Sequence, residues 1–277
     1  MSDAASRPHM SFSQMNMYLR CSMQWYYRYV LGLKQPPNLK LIAGKAGHSG
    51  LEIHNRHIIQ YATPPPLDLS LDEASTTFDT LVQDLEDRDK AAEGQSKDNI
   101  IALLTIYPED PQLDIKPTSA EREFTIEVGA GIPVLGYTDV ETEHAIFDYK
   151  FTSRAKSQDD ANLSPQLTLY SMAADTYKPT VGFIALIPPG ARTPPRIVPT
   201  IRDAVSETQL QTRYDRLRYQ FQYVERATQA AIFIPKDDPM TCSWCGYRDR
   251  CQSAAVTEFE ATQIRAVTEP DDTTEDD

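Results

Sequence analysis

Ile132-Pro-Val-Leu-Gly-Tyr-Thr-Asp-Val140 and Ala145-Ile-Phe-Asp-Tyr-Lys-Phe151 are two apolar runs joined by the polar link Glu141-Thr-Glu-His144. Each run reads as a strand, and the link is short enough for a hairpin. Residues two apart on a strand share a face, so Asp148 and Lys150 point the same way. The hairpin carries Asp139, at the end of the first strand, to the neighbourhood of both. Two carboxylates on adjacent strands can hold a hard divalent cation through oxygen. An ammonium beside them can steady a phosphate or an attacking water. The layout suits metal-dependent phosphodiester hydrolysis.

The flanking sequence extends the pattern. Ser164-Pro165 opens a helix, with proline at its favoured first position. Gln166 and Tyr170, four residues apart, share one face of it, where an amide and a phenol can position a phosphate or a water. Upstream, Glu121-Arg-Glu-Phe-Thr-Ile-Glu-Val128 reads as a strand ending in a turn at Gly129 to Gly131. Glu121 or Glu123 could reach a metal, but a solvated strand carboxylate is the commoner outcome, and neither is counted in the site. Downstream, the unbroken apolar run Val181 to Ile187 suits a buried strand and stops at Pro188-Pro-Gly190. Arg202 and the arginines of a helix from Ser206 to Ala231 form a basic stretch. The interleaved Glu207, Asp215 and Glu225 make a solvated face as good a reading as a DNA path.

Taken in order, Gly136-x-x-Asp139, Asp148-x-Lys150 and Gln166-x-x-x-Tyr170 resemble the PD-(D/E)XK nuclease superfamily, in particular its RecB-like exonuclease branch. The resemblance runs from Ser11 to Cys251 and includes an upstream histidine in Gly44-Lys-Ala-Gly-His48. It implies an α/β fold: a small mixed β-sheet flanked by helices, with a restriction-endonuclease-like core. It also implies that His48, Asp139 and Asp148, with the Tyr149 backbone carbonyl, hold Mg²⁺ or Mn²⁺, imidazole favouring manganese. Lys150 would orient the attacking water or stabilise developing charge, and Gln166 and Tyr170 complete the set. The implied activity is exonucleolytic cleavage of DNA at single-stranded ends. The implied setting is recombination, repair, phage replication or partnership with CRISPR-adaptation proteins. His54 and His57 match no motif and read as structural or surface residues.

The cysteines are Cys21, Cys242, Cys245 and Cys251. A disulfide framework is not expected in a cytoplasmic chain of this size. The late C-x2-C-x5-C, joined by Cys21, would supply four ligands and clasp the chain ends. The same branch of the superfamily, in its AddB-type and CRISPR-associated members, implies a [4Fe–4S] cluster there. A Zn²⁺ site would use the same four thiolates. Trp25, Tyr26, Tyr27 and Tyr29 are expected to pack this end of the molecule rather than stack on bases, and Trp244 to shield the cluster.

The sequence organises as 1–40, a helix with the first cysteine; 41–110, helices with His48 and an insertion; 111–235, the nuclease core; 236–255, the late cysteines; and 256–277, an acidic tail expected to be disordered. The insertion is expected as polar helices at Leu71 to Asp89 and Ser96 to Tyr107, broken at Ala91 to Gln95. The net charge of −13 argues against non-specific adhesion to nucleic acid. Residues 256–277 carry −7 of it and the rest −6, compatible with an acidic metal site and a local basic lining. Apolar runs long enough for a membrane span are missing, so no membrane partner is expected. The rival reading is a non-catalytic, clasped DNA- or partner-binding module on a nuclease fold, and a further one is a restriction endonuclease. The intact His48, Asp139, Asp148 and Lys150 set weighs against the first, and the cysteines and the Gln166–Tyr170 helix against the second.

Overall fold

A computed structural model describes residues 9–129 and 131–253; the acidic segment 256–277 lies outside the described residues. The chain runs α1 (Phe12–Arg20), α2 (Ser22–Trp25), a π-helical turn (Tyr26–Val30), α3 (Leu39–Tyr61), α4 (Leu67–Leu81), α5 (Lys90–Ile106), β1 (Ser119–Ile126), β2 (Val134–Glu141), β3 (Ala145–Phe151), α6 (Gln158–Asn162), α7 (Pro165–Ala173), β4 (Thr180–Ile187), β5 (Arg196–Ile201), α8 (Glu207–Gln229), α9 (Pro239–Ser243) and α10 (Arg248–Ser253). The described residues divide into two compact units: 36–125 with 136–214, and 9–35 with 126–129, 131–135 and 215–253. No described helix is long and apolar enough to cross a membrane.

The larger unit is built on a five-stranded sheet in the order β1-β2-β3-β4-β5. The expected hairpin is present: β2 and β3 pair antiparallel, with Val140 opposite Phe147. β4 lies parallel to β3, setting Phe183 opposite Asp148 and Ala185 opposite Lys150. A parallel pair needs a crossover, which α6 and α7 supply. β4 is buried along nearly its whole length, as its apolar run requires. β5, antiparallel to β4, closes one side of the sheet. It contains Pro199, which argues against a central strand but is tolerated on an edge, where the missing N–H faces away from the ladder.

The helices expected to cover the core do pack on the sheet, and each buries an apolar stripe that their polar composition hid. Ile42 of α3, Phe78 of α4 and Leu103 and Leu104 of α5 are buried in one cluster with Tyr149 and Ile184 of the sheet. The break expected at Ala91 to Gln95 is helical, because Asp89 caps α5 by accepting from the Ala91 and Ala92 amides. The α3 helix starts at its Asn38 cap, which accepts from the Leu41 amide at 2.9 Å, and ends at Ala62 in the left-handed region. Its Gly47 lets it lie on the sheet, since a Cβ there would overlap the Phe151 ring.

In the smaller unit the early and late segments are bound to each other. The Tyr18 hydroxyl donates to the Ile232 carbonyl, and the Tyr247 hydroxyl to that of Leu33 at 2.6 Å. Ser22 both donates to the Ile234 carbonyl and accepts from its amide. Trp25 stacks on Phe233 with ring centroids 5.8 Å apart. Trp25 and Tyr27 are buried, so the aromatics pack rather than present faces to solvent. Trp244 departs from expectation: it is 85% exposed and does not shield the cysteines. All four cysteines are free thiols lining one cavity of about 120 Å³. Among the described residues, no three of their sulfurs come within 4.8 Å of one another.

Candidate active site

Three elements of the larger unit converge on one point: α3 brings His48, β1 brings Glu121 and β2 brings Asp139. His48 Nδ1 lies 3.6 Å from Asp139 Oδ2 and 4.0 Å from Glu121 Oε1. One ligand atom from each of the three lies within 4.8 Å of the others, a spacing that one cation could bridge. They line a cavity of about 470 Å³ together with Gly44, Lys40 and Lys45. Glu121 is the residue that sequence reasoning left out. Its φ of +48° lies in the left-handed region, costly for a residue with a Cβ. Strict strand alternation cannot say which face such a residue serves.

Asp148 and Lys150 share a face, as their spacing requires, and sit in a closed ring with the two α7 residues. Lys150 Nζ is 2.6 Å from Asp148 Oδ2 and donates to Gln166 Oε1 at 3.1 Å. Gln166 Nε2 donates to the Tyr170 hydroxyl at 3.1 Å, which donates to Asp148 Oδ1 at 3.0 Å. The Gln-x-x-x-Tyr spacing thus serves the acid and the lysine themselves: it fixes both against rotation. α7 is held in register by Pro165 at its start and by Ser164, which accepts from the Leu167 amide. Gly136 has a matching role, since a Cβ there would overlap the Phe124 ring, which packs edge-on against Tyr170 at 6.2 Å.

Burial and like charge set the electrostatics. Burial, reinforced by Asp148, holds the Asp139 carboxyl well above its usual range, against the opposing pull of the Tyr149 amide and Lys150. Burial and then Asp139 push Glu121 up to about 7. Burial also lowers the His48 imidazole, although Asp148 and Glu121 work the other way. Two carboxyls are therefore held where negative charge is disfavoured without a counter-ion, and the imidazole is favoured in the neutral form that a metal ligand needs. A divalent cation relieves that repulsion, so this donor set of one nitrogen and hard oxygens fits Mg²⁺ or Mn²⁺.

A buried polar layer fixes the floor. The Tyr149 amide donates to Asp139 Oδ2 at 2.6 Å, and a hydrogen bond links the His48 ring to the Tyr149 backbone. The Tyr149 side chain points the other way, into the core, where its hydroxyl accepts from Asn55 Nδ2 at 3.1 Å and bonds the Tyr107 hydroxyl. His54 packs edge-on against Tyr107, and His57 donates to the Thr63 carbonyl; both are structural, as expected. Arg202 does not line a basic path. It is buried, with Nη2 donating to the Ser164 carbonyl and Thr168 Oγ1 on α7.

Comparison with known proteins gives the family. The family model of the PD-(D/E)XK nuclease superfamily matches residues 9–252. Among solved structures, a candidate exonuclease from Eubacterium rectale is similar with a TM-score of 0.56 and 12% identity, over 94% of this chain and 96% of that one. A protein named SSO0001 is similar with a TM-score of 0.35 and 12% identity, over 86% of this chain and 92% of the other. No curated protein matches the sequence significantly. The family match spans both the candidate metal-binding residues and the ring around Lys150, and the chain belongs to the PD-(D/E)XK nuclease superfamily.

Proposed function

We propose that the protein is a metal-dependent deoxyribonuclease that removes nucleotides from DNA ends, with single-stranded ends as its substrate. The observation that carries this reading is the meeting of His48, Glu121 and Asp139 within 4.8 Å, beside the Lys150–Asp148 pair. His48, Asp139 and Glu121 would hold Mg²⁺ or Mn²⁺, with Asp148 and the Tyr149 backbone bordering the same ion. A bound cation of this kind polarises a phosphate and makes water more acidic. Lys150, steadied by Gln166, orients the attacking water or meets the charge that develops on the phosphate. Tyr170 and Gln166 keep Asp148 and Lys150 in their working rotamers.

We further infer a [4Fe–4S] cluster on Cys21, Cys242, Cys245 and Cys251. In its support, the four thiols line one cavity, and burial followed by the neighbouring cysteines raises the Cys251 thiol, a tension that bound iron would release. A Zn²⁺ site would use the same four thiolates. The protein would act in the cytoplasm, in DNA recombination, repair, phage replication or CRISPR adaptation.

The test is hydrolysis of end-labelled linear DNA by anaerobically purified protein with Mn²⁺, Mg²⁺ or EDTA, with Asp148→Ala alongside. Metal-dependent loss of label, absent from the variant, is expected. A folded wild-type protein that leaves every DNA end intact would overturn the reading in favour of a binding module. Cleavage of circular DNA would replace the exonuclease by an endonuclease.

A further inference from the structure

Next to the metal-ligand cluster, on the same α3 helix, a second cavity of about 520 Å³ opens in the larger unit. Its apolar walls are Leu39 of α3, Leu103 of α5, Phe151 at the end of β3 and Pro188 just after β4, with Ser96 and Asn99 of α5 on the polar side. Two residues connect it to the candidate active site. Lys40 lines both cavities. The Phe151 ring lies 5.7 Å from that of His48 and also forms part of the second cavity's wall. Gly47 keeps the ring in that position, since any side chain there would displace it.

We propose that this cavity is a nucleobase subsite: it takes one unpaired base next to the phosphate at the metal site proposed on His48, Glu121 and Asp139, with Phe151 as its stacking platform and Lys40 on the intervening backbone. The proposal rests on the nuclease reading given above. The occupant follows from the chemistry of the walls. An aromatic ring beside aliphatic side chains suits a flat, uncharged π-surface, and base–aromatic stacking tolerates any base. The entrance carries the opposite character. Lys40 and the positive end of α3, whose first residue Leu39 lines the cavity, favour a phosphate there. The location is also apt, because the cavity lies beyond the carboxyl ends of the parallel strands β3 and β4, where open α/β sheets bind ligands. A base within a duplex is stacked and paired, so entry requires it to be unpaired first. The subsite therefore accounts for a preference for single strands by shape rather than by sequence.

The test uses the full-length protein in Ca²⁺ with single-stranded oligonucleotides carrying 2-aminopurine at successive positions. One position near the end should show strong quenching. An abasic residue at that position should weaken wild-type binding about tenfold. Ser96→Trp, which fills the cavity from α5, should abolish the quenching and bind the abasic and normal strands alike. Lys40→Gln, an exposed change, should reduce the salt dependence of log K by about 0.7. Equal fluorescence at every position, together with unaltered affinity for the abasic strand, would overturn the subsite. Parallel measurement of Mn²⁺-dependent cleavage separates the two readings. Cleavage without a quenched position removes only the subsite, a quenched position without cleavage removes only the nuclease, and the absence of both removes both.

Discussion

Glu121→Gln is expected to stabilise the metal-free protein while weakening its hold on metal. Burial and Asp139 raise the Glu121 carboxyl from its ordinary 4.5 to about 7, so ionising it in the folded state is unfavourable. That gap corresponds to about 3 kcal/mol. Water reaches 26% of the side chain, and screening brings the penalty to about 2 kcal/mol. The sign follows from proton binding. Between pH 4.5 and about 7 the folded state binds more protons than the unfolded one, so stability falls as pH rises. The contribution is complete below 4.5 and lost above about 7. Glutamine carries no such charge, so in EDTA at pH 8 the variant should melt about 4–8 °C above wild type, with the gap narrowing towards pH 5. Added Mn²⁺ should reverse the order, because a ligand bound only by the folded state stabilises wild type by about 2.7 kcal/mol at a hundredfold excess over Kd. Differential scanning calorimetry at pH 5 and pH 8, with EDTA or Mn²⁺, reads both effects. A variant that melts at or below wild type in EDTA at pH 8 would refute the electrostatic argument. One that keeps the full Mn²⁺ shift would remove Glu121 from the metal site.

Three further outcomes are expected. Tyr149→Phe leaves the buried Asn55 amide and Tyr107 hydroxyl without their shared partner, at a cost of about 1–3 kcal/mol by urea unfolding, while the backbone contact to Asp139 is retained. Gly136→Ala drives a methyl into the Phe124 ring and should cost about 1–3 kcal/mol. Because that ring braces Tyr170, cleavage should fall by more than the lost stability explains, as measured by kcat well below the melting transition. Cys21→Ser should remove the visible absorption of anaerobically purified protein and leave Asp148-dependent cleavage measurable; unchanged iron content would exclude Cys21 as a ligand.

Much of the site was legible because it rests on local rules. Asp148 and Lys150 share a face through the period of a strand, and Gln166 and Tyr170 share one through the period of a helix. Ser164-Pro165 marks the start of that helix by capping chemistry. Other features were hidden where tertiary context overrides such rules. β5 was obscured by Pro199, which only an edge position tolerates. α4 and α5 looked polar because a single buried stripe, at Phe78, Leu103 and Leu104, supplies their share of the core. Trp244 and Arg202 reversed their expected exposures, the ring outward and the guanidinium inward, as neither burial is encoded by neighbours in sequence.

By itself the sequence determined the hairpin, the order of the acidic and basic groups along it and the superfamily they resemble, because those depend on spacing within single elements. Only the tertiary structure decided that Glu121 joins His48 and Asp139, that an apolar cavity adjoins that group, and that Asp148, Lys150, Gln166 and Tyr170 close into one ring. Each of these requires elements far apart in the chain to meet. Their meeting is governed by packing: a missing Cβ at Gly47 and at Gly136, a strained backbone at Glu121 and a tyrosine anchored in the core beneath the site.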